Sequence, residues 1–277
     1  MSAPSGMTFG SFVAPYADPR LNSALSIQQV LDYVEAMDRL GYAQAWFGEH
    51  HSGGWENIPS PEIMIGAAAQ RTRSITLGTG VISLPYHHPL MVADRMVFLD
   101  HLTRGRVNIG IGPGAFPRDS EMMGMDYGTL RPRMEEALNA ILHLLDKEEP
   151  LDEKTDWYEM HGAVLNQRSY TQPRVPITVA ATFSPSGPRL AGRHGLELLS
   201  LGGTSQKSFE ILGNTWEVIE YEAARYGQTV DRSRWKIVFQ IHVSDMMFPR
   251  FRGVGILDFR PRVGWMVASF RTRWGCA

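Results

Sequence analysis

The sequence predicts an α/β fold of the (β/α)8 TIM-barrel type. Short apolar runs with strand character alternate with amphipathic helical runs, and this alternation repeats seven times between residues 8 and 243. Strict alternation of this kind produces parallel strands joined by right-handed crossovers. The length and the number of repeats favour a closed barrel over an open sheet. We therefore assign residues 1–243 to one barrel domain and residues 244–277 to an atypical tail.

The elements follow from local patterns along the chain. Apolar and small residues alternate over Thr8–Ala14, which predicts the first strand. Apolar residues then recur at spacings of three and four from Ile27 to Leu40, which predicts a helix that Ser26 caps and Gly41 ends. The later strands are predicted at 42–47, Ile75–Val81, Val107–Gly112, Val175–Ala181, Leu196–Leu201 and Trp235–Val243. The later helices are predicted at Pro61–Arg71, Leu90–His101, Leu130–Leu145, Pro185–Arg193 and Phe209–Ala223, and Asp146–Pro173 departs from the repeat.

The C-terminal tail does not continue the repeat. Residues 246–277 contain six arginines, one acidic residue and no lysine, and they show no helical period. Val254–Phe259 and Trp265–Phe270 are the only strand candidates in this stretch. We expect that the tail is out of frame or truncated and that the authentic last barrel units are missing. Sequencing the gene tests this hypothesis, because unbroken homologous DNA would contradict it.

Composition excludes several classes of protein. The net charge of −2 gives no electrostatic reason to bind nucleic acid or an anionic membrane. The single cysteine, Cys276, excludes an internal disulfide framework and agrees with a reducing compartment. No apolar run of about 18 residues and no charged leader are visible, so neither a membrane span nor a signal peptide is predicted. We expect a cytoplasmic protein.

The first candidate site is Glu49, His50 and His51, which directly follow the second predicted strand. The carboxyl ends of parallel strands are where barrels place their chemistry. A carboxylate beside two imidazoles can move protons at neutral pH, although one histidine could equally pack or cap the turn. Adjacent histidines at a strand end point in opposite directions, and only His87 or His88 could add a third ligand. We therefore expect an acid–base histidine and no metal, and the metal-dependent hydrolase stays the weaker alternative.

Two further loops are candidates for ligand contact. Gly110–Gly114 has the spacing G-x-G-x-G, which is a poor dinucleotide fingerprint but lets backbone approach a flat or phosphorylated ligand. A tight turn is the alternative there. Ser184 and Ser186 precede a predicted helix, where hydroxyls and free amides form an anion site, or serve only as caps.

Together these segments resemble the bacterial luciferase-like family of flavin-dependent monooxygenases, and within it the limonene monooxygenase-like branch. The resemblance covers about residues 8–243 and does not include the tail. The matching stretches are Gly48–His51, Leu77–Pro89, Leu99–Gly112 and the Ser-Pro segment before Leu190–Gly195.

The resemblance implies a barrel that holds reduced FMN at its C-terminal mouth, where oxygen adds at flavin C4a and the peroxyflavin hydroxylates or epoxidises a hydrophobic small molecule. His50 matches the family's histidine beside the flavin, and His51 and His88 match positions that we expect to support it. A non-prolyl cis peptide is expected at Gly80–Val81, as in the family. The residues expected to contact the cofactor are Glu49, Thr79, Gly80, Val81, Gly112, Ser184 and Ser186.

One departure from the family concerns the cofactor phosphate. Gly112 and Pro113 fall where luciferase has a cysteine and a phosphate-binding arginine, so phosphate binding is expected to shift toward Ser184 and Ser186. Aromatic residues near strand ends could keep the mouth dry, namely Phe12, Trp46, Phe47, Trp55, Tyr86 and Phe183.

The resemblance also bears on partners. Reduced FMN is expected from a separate flavin reductase, because no strong nicotinamide site is visible, and the family implies a homodimer. A deazaflavin (F420)-dependent dehydrogenase on the same barrel is the alternative enzyme, and a flavin-binding protein without turnover is the alternative outside enzymes.

Overall fold

The protein is described by a computed structural model, which covers residues 7–13, 19–182, 184–202, 206–241 and 264–270. The predicted barrel is confirmed. Eight strands follow one another around a ring, and the ring closes because the third strand pairs with the fifth. In ring order the strands are β1 (Met7–Val13), β2 (Gln44–Phe47), β3 (Thr76–Thr79), β5 (Val107–Gly112), β8 (Ile177–Ala181), β9 (Glu197–Leu201), β10 (Lys236–Ile241) and β11 (Gly264–Phe270).

The remaining strands are short and lie outside this ring. β4 (Ile82–Ser83) extends the sheet beside β5, and β6 (Leu151–Lys154) pairs with β7 (Glu159–Ala163) as a hairpin. The hairpin explains why Asp146–Pro173 departs from the repeat. It packs on the preceding barrel helix through Trp157, whose indole N–H donates to Glu136 at 2.7 Å.

The helices alternate with the strands as predicted. They are α1 (Ser23–Arg39), α2 (Pro61–Arg71), α3 (Pro89–Thr103), α4 (Pro117–Met122), α5 (Leu130–Asp146), α6 (Ser186–His194) and α7 (Gln206–Arg225), with 3-10 turns at Leu84–Tyr86, Tyr127–Thr129 and Arg232–Arg234. None of the helices within these described ranges is long and apolar enough to cross a membrane.

The predicted cap of α1 is wrong. The helix begins three residues before Ser26, and Asn22 caps it by accepting a hydrogen bond from the Ala24 N–H at 2.9 Å. Ala24 and Leu25 are good helix formers, so the helix extends back to the nearest side chain that can cap it. Ser26 lies buried in the first turn instead. The predicted end is confirmed, since Gly41 follows the helix with a φ of +80°.

The eighth strand differs from the other seven in direction. β11 runs antiparallel to both of its neighbours, with Phe12 of β1 opposite Trp265 and Ile241 of β10 opposite Gly264. The strand candidate Trp265–Phe270 is therefore confirmed, whereas Val254–Phe259 lies outside the described residues. An antiparallel closing strand agrees with a C-terminus that does not follow the barrel repeat. The out-of-frame origin of the tail stays a prediction.

The core has two parts, because alternate residues of each strand face opposite sides. Ala45 and Phe47 belong to the large cluster between the strands and the helices, while Trp46 belongs to a smaller cluster with Leu199 and Val238 inside the barrel. Trp46 is completely buried. A Cβ at Gly78 would lie 2.4 Å from its indole ring, so this glycine makes room for the tryptophan.

A polar network fills the interior on the other side of Trp46 from the mouth. The Glu197 carboxylate pairs with Lys236 and accepts hydrogen bonds from Asn108 at 2.8 Å and Thr178 at 3.1 Å. Burial raises the pKa of Glu197, but Lys236, Asn108 and Arg234 outweigh burial and hold its pKa below the ordinary value. Because the network begins near the amino ends of the strands, it belongs to the stability face of the barrel.

Gly110 of β5 provides a stability test of the interior packing. A Cβ at this position would lie 2.0 Å from the Thr79 carbonyl oxygen and 3.1 Å from the Trp46 ring. The Thr79 carbonyl belongs to the backbone of β3, which cannot shift to admit a methyl group without breaking strand pairing. We therefore expect Gly110→Ala to lower the free energy of unfolding by about 2 kcal/mol or more.

Gly213 is the matched control, because a Cβ there meets nothing within 4 Å and the residue lies inside α7. Gly213→Ala should raise the free energy of unfolding by up to about 1 kcal/mol. Urea denaturation of both variants measures the two effects. Equal changes of the same sign would contradict the described packing of the barrel interior.

Candidate active site at the barrel mouth

The predicted catalytic and cofactor-binding residues lie at or just after the carboxyl ends of the parallel strands. Glu49 and His50 follow β2, and Thr79 ends β3. Gly112 ends β5, and the Ser184–Ser186 segment follows β8. Because these strands are parallel and share one barrel, their carboxyl ends meet at one mouth.

The Glu49 carboxylate is the buried centre of this mouth. Its Oε1 lies 2.6 Å from His87 Nε2 and 3.2 Å from His51 Nε2, and its Oε2 accepts a hydrogen bond from the Ser83 N–H at 2.5 Å. These donors come from the end of β2, from β4 and from the turn before α3. Both carboxylate oxygens are therefore engaged within the protein.

Electrostatics keep this carboxylate ionised. Burial raises the pKa of Glu49, but hydrogen bonds from His51, His87 and the Ser83 amide outweigh burial and hold its pKa at about 2. In the opposite direction, the hydrogen bond to Glu49 raises the pKa of His51 against partial burial. His51 therefore supports the end of β2 through Glu49.

His50 has different partners from its neighbour. Its Nε2 lies 2.8 Å from Glu56 Oε2, and its Nδ1 lies 3.5 Å from Asp119 Oδ2. The ring stacks on Phe116 with centroids 4.2 Å apart. Burial lowers the pKa of His50, but Glu56 and Asp119 outweigh burial and raise its pKa above the ordinary value.

Sequence reasoning missed Glu56, Phe116 and Asp119. Glu56 lies in the loop before α2, and the other two residues lie at the start of α4. Asp119 is almost completely buried and also accepts a hydrogen bond from the His51 N–H at 3.3 Å. Only their position soon after a strand end marks them in the sequence, and that signal is too common to select them.

The end of β3 is shaped by backbone. The predicted cis peptide at Gly80–Val81 is confirmed. The Thr79 side chain is completely buried and its hydroxyl donates to the Gly110 carbonyl at 2.7 Å, so only its backbone can face a ligand. A Cβ at Gly80 would lie 2.6 Å from Phe12, so the glycine accommodates this ring.

The glycines of the loop after β5 accommodate protein atoms. A Cβ at Gly112 would lie 2.7 Å from Val81, and one at Gly114 would lie 2.3 Å from the Tyr86 hydroxyl. Gly114 also has a φ of +95°. Protein atoms therefore lie close to Gly110, Gly112 and Gly114 where a side chain would otherwise stand. The Tyr86 hydroxyl itself is buried without a hydrogen-bond partner among the described residues.

The predicted serines contact an arginine that sequence reasoning also missed. Ser184 Oγ and Ser186 Oγ lie 2.9 Å apart at the start of α6, and Arg131 Nη1 of α5 donates to Ser186 Oγ at 2.6 Å. The three side chains are exposed or half-buried. A cation, two hydroxyls and the amino end of a nine-residue helix thus lie together.

Other aromatic and imidazole candidates lie elsewhere. Trp55 is exposed, and Phe47 is buried between the strands and the helices. His88 contacts the β6–β7 hairpin, where its ring lies edge-on to Tyr158. Phe183 lies outside the described residues. Within the described ranges, no group of three or more His, Cys, Asp and Glu side chains could hold a metal ion.

The low pKa of Glu49 has a consequence for stability. The ordinary pKa of a glutamate is 4.5 and that of folded Glu49 is about 2, so its contribution is complete above pH 4.5 and is lost as the pH falls toward 2. We expect Glu49→Gln to lower the free energy of unfolding at neutral pH by on the order of 3 kcal/mol. We also expect the variant to lose less stability between these pH values than the parent.

Urea denaturation between pH 2 and pH 7 measures both effects. Glu121→Gln is the matched control, because Glu121 is exposed on α4. The two variants should differ clearly in midpoint at pH 7. A Glu49→Gln protein as stable as the control would mean that the buried carboxylate does not stabilise the mouth.

Comparison with known proteins agrees with this geometry. The model of the luciferase-like monooxygenase family matches residues 7–245. Limonene 1,2-monooxygenase of Rhodococcus erythropolis is 46% identical over 237 residues, which cover 86% of this chain and 60% of the relative. The 4-hydroxyprotoasukamycin monooxygenase of Streptomyces nodosus subsp. asukaensis is 43% identical over 241 residues, which cover 86% of this chain and 65% of the relative. The chain thus spans 60 to 65% of the length of these relatives.

Solved structures agree on the fold. The oxygenating constituent of 3,6-diketocamphane monooxygenase from Pseudomonas putida, in complex with FMN, has a TM-score of 0.73 and 28% identity over 83% of this chain and 65% of that chain. An F420-dependent secondary alcohol dehydrogenase has a TM-score of 0.68 and 20% identity over 82% of this chain and 66% of that chain. At this identity the likeness shows a shared fold and nothing more. By the family model and by its relatives, the chain belongs to the luciferase-like monooxygenase family.

Proposed function

We propose that the chain is a flavin-dependent monooxygenase that uses reduced FMN and O2 to hydroxylate or epoxidise a hydrophobic small molecule. The observation that carries the proposal is the His50 ring, which lies at the barrel mouth with one nitrogen paired to Glu56 and the other buried without a hydrogen-bond partner in the part of the chain that the structure describes. An imidazole held in this way can exchange a proton with a ligand. The relatives named as monooxygenases support this choice of reaction.

The residues at the mouth fit FMN in two respects. The buried polar atoms His50 Nδ1 and Tyr86 Oη lack partners among the described residues, and a bound polar ring system could satisfy such atoms. The group of Arg131, Ser184 and Ser186 offers a cation and hydroxyls to a phosphate. Arg131 would then replace the charge that Pro113 cannot provide.

We assign the roles as follows. The backbone of Thr79, Gly80 and Val81 would lie against the flavin ring with Gly112 beside it, and Ser184 and Ser186 would hold the phosphate. Glu49 would support the mouth rather than contact FMN, because both of its oxygens are engaged. FMN, when bound in its reduced form, supplies the electrons that activate O2. The protein orients the reactants, and Phe116 helps to exclude water from His50.

The glycine-rich loop bears on the source of reduced flavin. A Cβ at Gly110, Gly112 or Gly114 would meet protein atoms, so this loop does not favour a nicotinamide dinucleotide. We propose that a separate flavin reductase supplies reduced FMN. A deazaflavin-dependent dehydrogenase is the other function the barrel could carry, and it would consume no oxygen.

We also propose a homodimer in which α2 and α3 pack against a second copy. Met91, Phe98 and Leu102 recur at helical spacing along α3, and Ile63 lies on α2, which packs against α3; all four are exposed. Glu62 of α2 and Arg95 of α3 face each other at 3.5 Å, with polar atoms of both lacking hydrogen-bond partners among the described residues. Across a two-fold axis, the Glu62–Arg95 pair of one copy can face the same pair of the second copy in the opposite direction. Opposite charges would then meet, so the face can be complementary to itself.

The cofactor proposal predicts that the chain binds reduced FMN and, given O2, oxygenates limonene as a probe substrate. His50→Ala should keep FMN binding and lower turnover by roughly 100-fold. Arg131→Ala should weaken FMN binding by about tenfold, the cost of a charged hydrogen bond, and leave riboflavin binding unchanged, because riboflavin has no phosphate. Fluorescence titration with photoreduced flavin and product analysis measure these effects.

His161→Ala and Arg118→Ala are the controls, because both side chains are exposed. Substrate turnover with F420 and without oxygen consumption would support the dehydrogenase instead. FMN binding without product from a panel of terpenes would indicate a binding protein. Absence of any flavin binding would refute the proposal.

The dimer proposal predicts that Phe98→Asp yields a monomer, because a charge would be buried in the apolar interface. Leu25→Asp on α1 is the control, since Leu25 and Phe98 are 64% and 62% exposed. Light scattering after gel filtration should give twice the mass of the 31.0 kDa chain for the parent and the control. A monomeric parent would contradict the proposal.

A further inference from the structure

The environment of the His50 ring distinguishes its two nitrogens. Nε2 lies 2.8 Å from Glu56 Oε2, a good hydrogen-bond distance, and both side chains are largely buried. The backbone N–H of His50 also donates to the backbone carbonyl of Ile58 at 3.1 Å. This bond fixes the end of β2 against the segment that carries Glu56. A carboxylate can only accept a hydrogen bond. Nε2 therefore carries the proton.

The other nitrogen has no comparable partner. Nδ1 is buried and lacks a hydrogen-bond partner among the described residues. Asp119 Oδ2 lies 3.5 Å away, within reach of a charge but beyond a good hydrogen bond. Phe116 covers one face of the ring, so a ligand would reach the ring through its edge at Nδ1.

We propose that Glu56 is a positioning residue that holds His50 with its proton on Nε2 and thereby makes Nδ1 the nitrogen that exchanges protons with bound ligand. The catalytic meaning of this inference rests on the function proposed above, but the protonation pattern does not. Glu56 itself would touch neither cofactor nor substrate.

Charge at the site agrees with this arrangement. The groups that face His50 are Glu56 from the loop before α2, Asp119 from α4 and His51 beside it on the chain. Burial lowers the pKa of His50, while the two carboxylates raise it and outweigh burial. Removal of the Glu56 charge should therefore shift the titration of His50 to lower pH.

Glu56→Gln is the informative substitution because it nearly conserves shape. The amide can accept from a protonated Nε2 or donate to an unprotonated one, so the preference for a single tautomer is lost. A purely structural Glu56 would stabilise the loop without controlling the ring. In that case the tautomer and the titration of His50 would not change in a folded Glu56→Gln protein.

The test is NMR of the flavin-free chain with 15N-labelled histidine rings. The His50 signal is assigned by its loss in His50→Gln. We expect the parent to show neutral His50 with the proton on Nε2, and Glu56→Gln to show both tautomers and a titration at lower pH. Glu56→Asp keeps the charge and should retain the raised titration. Glu121→Gln, on the exposed face of α4, should change nothing.

A parent with the proton on Nδ1 would overturn the inference, and so would an unchanged His50 titration in Glu56→Gln. Circular dichroism identifies a variant that fails to fold, in which case the parent's tautomer and the Glu56→Asp titration decide. Turnover with reduced FMN, O2 and limonene forms a second arm. There, Glu56→Gln should lower kcat about tenfold or more and shift the pH profile, while FMN affinity stays the same. A parent that turns over none of the terpenes in the panel would refute the proposed function and leave the NMR result decisive for Glu56.

Discussion

The mouth of this barrel depends on one buried carboxylate. An ionised group removed from water is costly unless it is paired and hydrogen-bonded, and Glu49 meets that condition only when three separate segments deliver His51, His87 and the Ser83 amide together. The end of β2, the short strand β4 and the turn before α3 are thus fixed relative to one another by a single requirement. His50 directly follows this carboxylate on the chain, so the position of its backbone depends on the same requirement.

Strand periodicity explains why the carboxylate and the tryptophan can share one strand end. Trp46 points into the barrel and fills its interior, where Gly78 and Gly110 leave space for the indole. Ala45 and Phe47 point outward to the helices. Trp46 thereby fills the barrel interior below the mouth. The polar network of Glu197 and Lys236 lies on the far side of the Trp46 ring and serves stability.

The sequence predicted what depends on neighbours along the chain. Alternating apolar runs were sufficient for seven strands and their helices, and the contiguous Glu49-His50-His51 identified the mouth. Ser26 failed as a cap because competition with Asn22 is decided by where the helix can begin. The reversed direction of β11 could not be predicted, because pairing direction depends on how the tail returns to β1. Glu56, Asp119 and Arg131 were missed for the same reason, since each gains its meaning only from contacts across the mouth.

Two carboxylate–imidazole groups lie side by side at this mouth, and their surroundings give them different capacities. Both oxygens of the buried Glu49 carboxylate are engaged by donors within the protein, so this group holds the fold. His50 is held on one side only, with Glu56 fixing Nε2 and Nδ1 left without a partner among the described residues. Under the proposed function, the adjacent His51 and His50 therefore have different roles, His51 in supporting the mouth and His50 in proton exchange. The difference follows from how fully each group is hydrogen-bonded, which a list of residue types does not reveal.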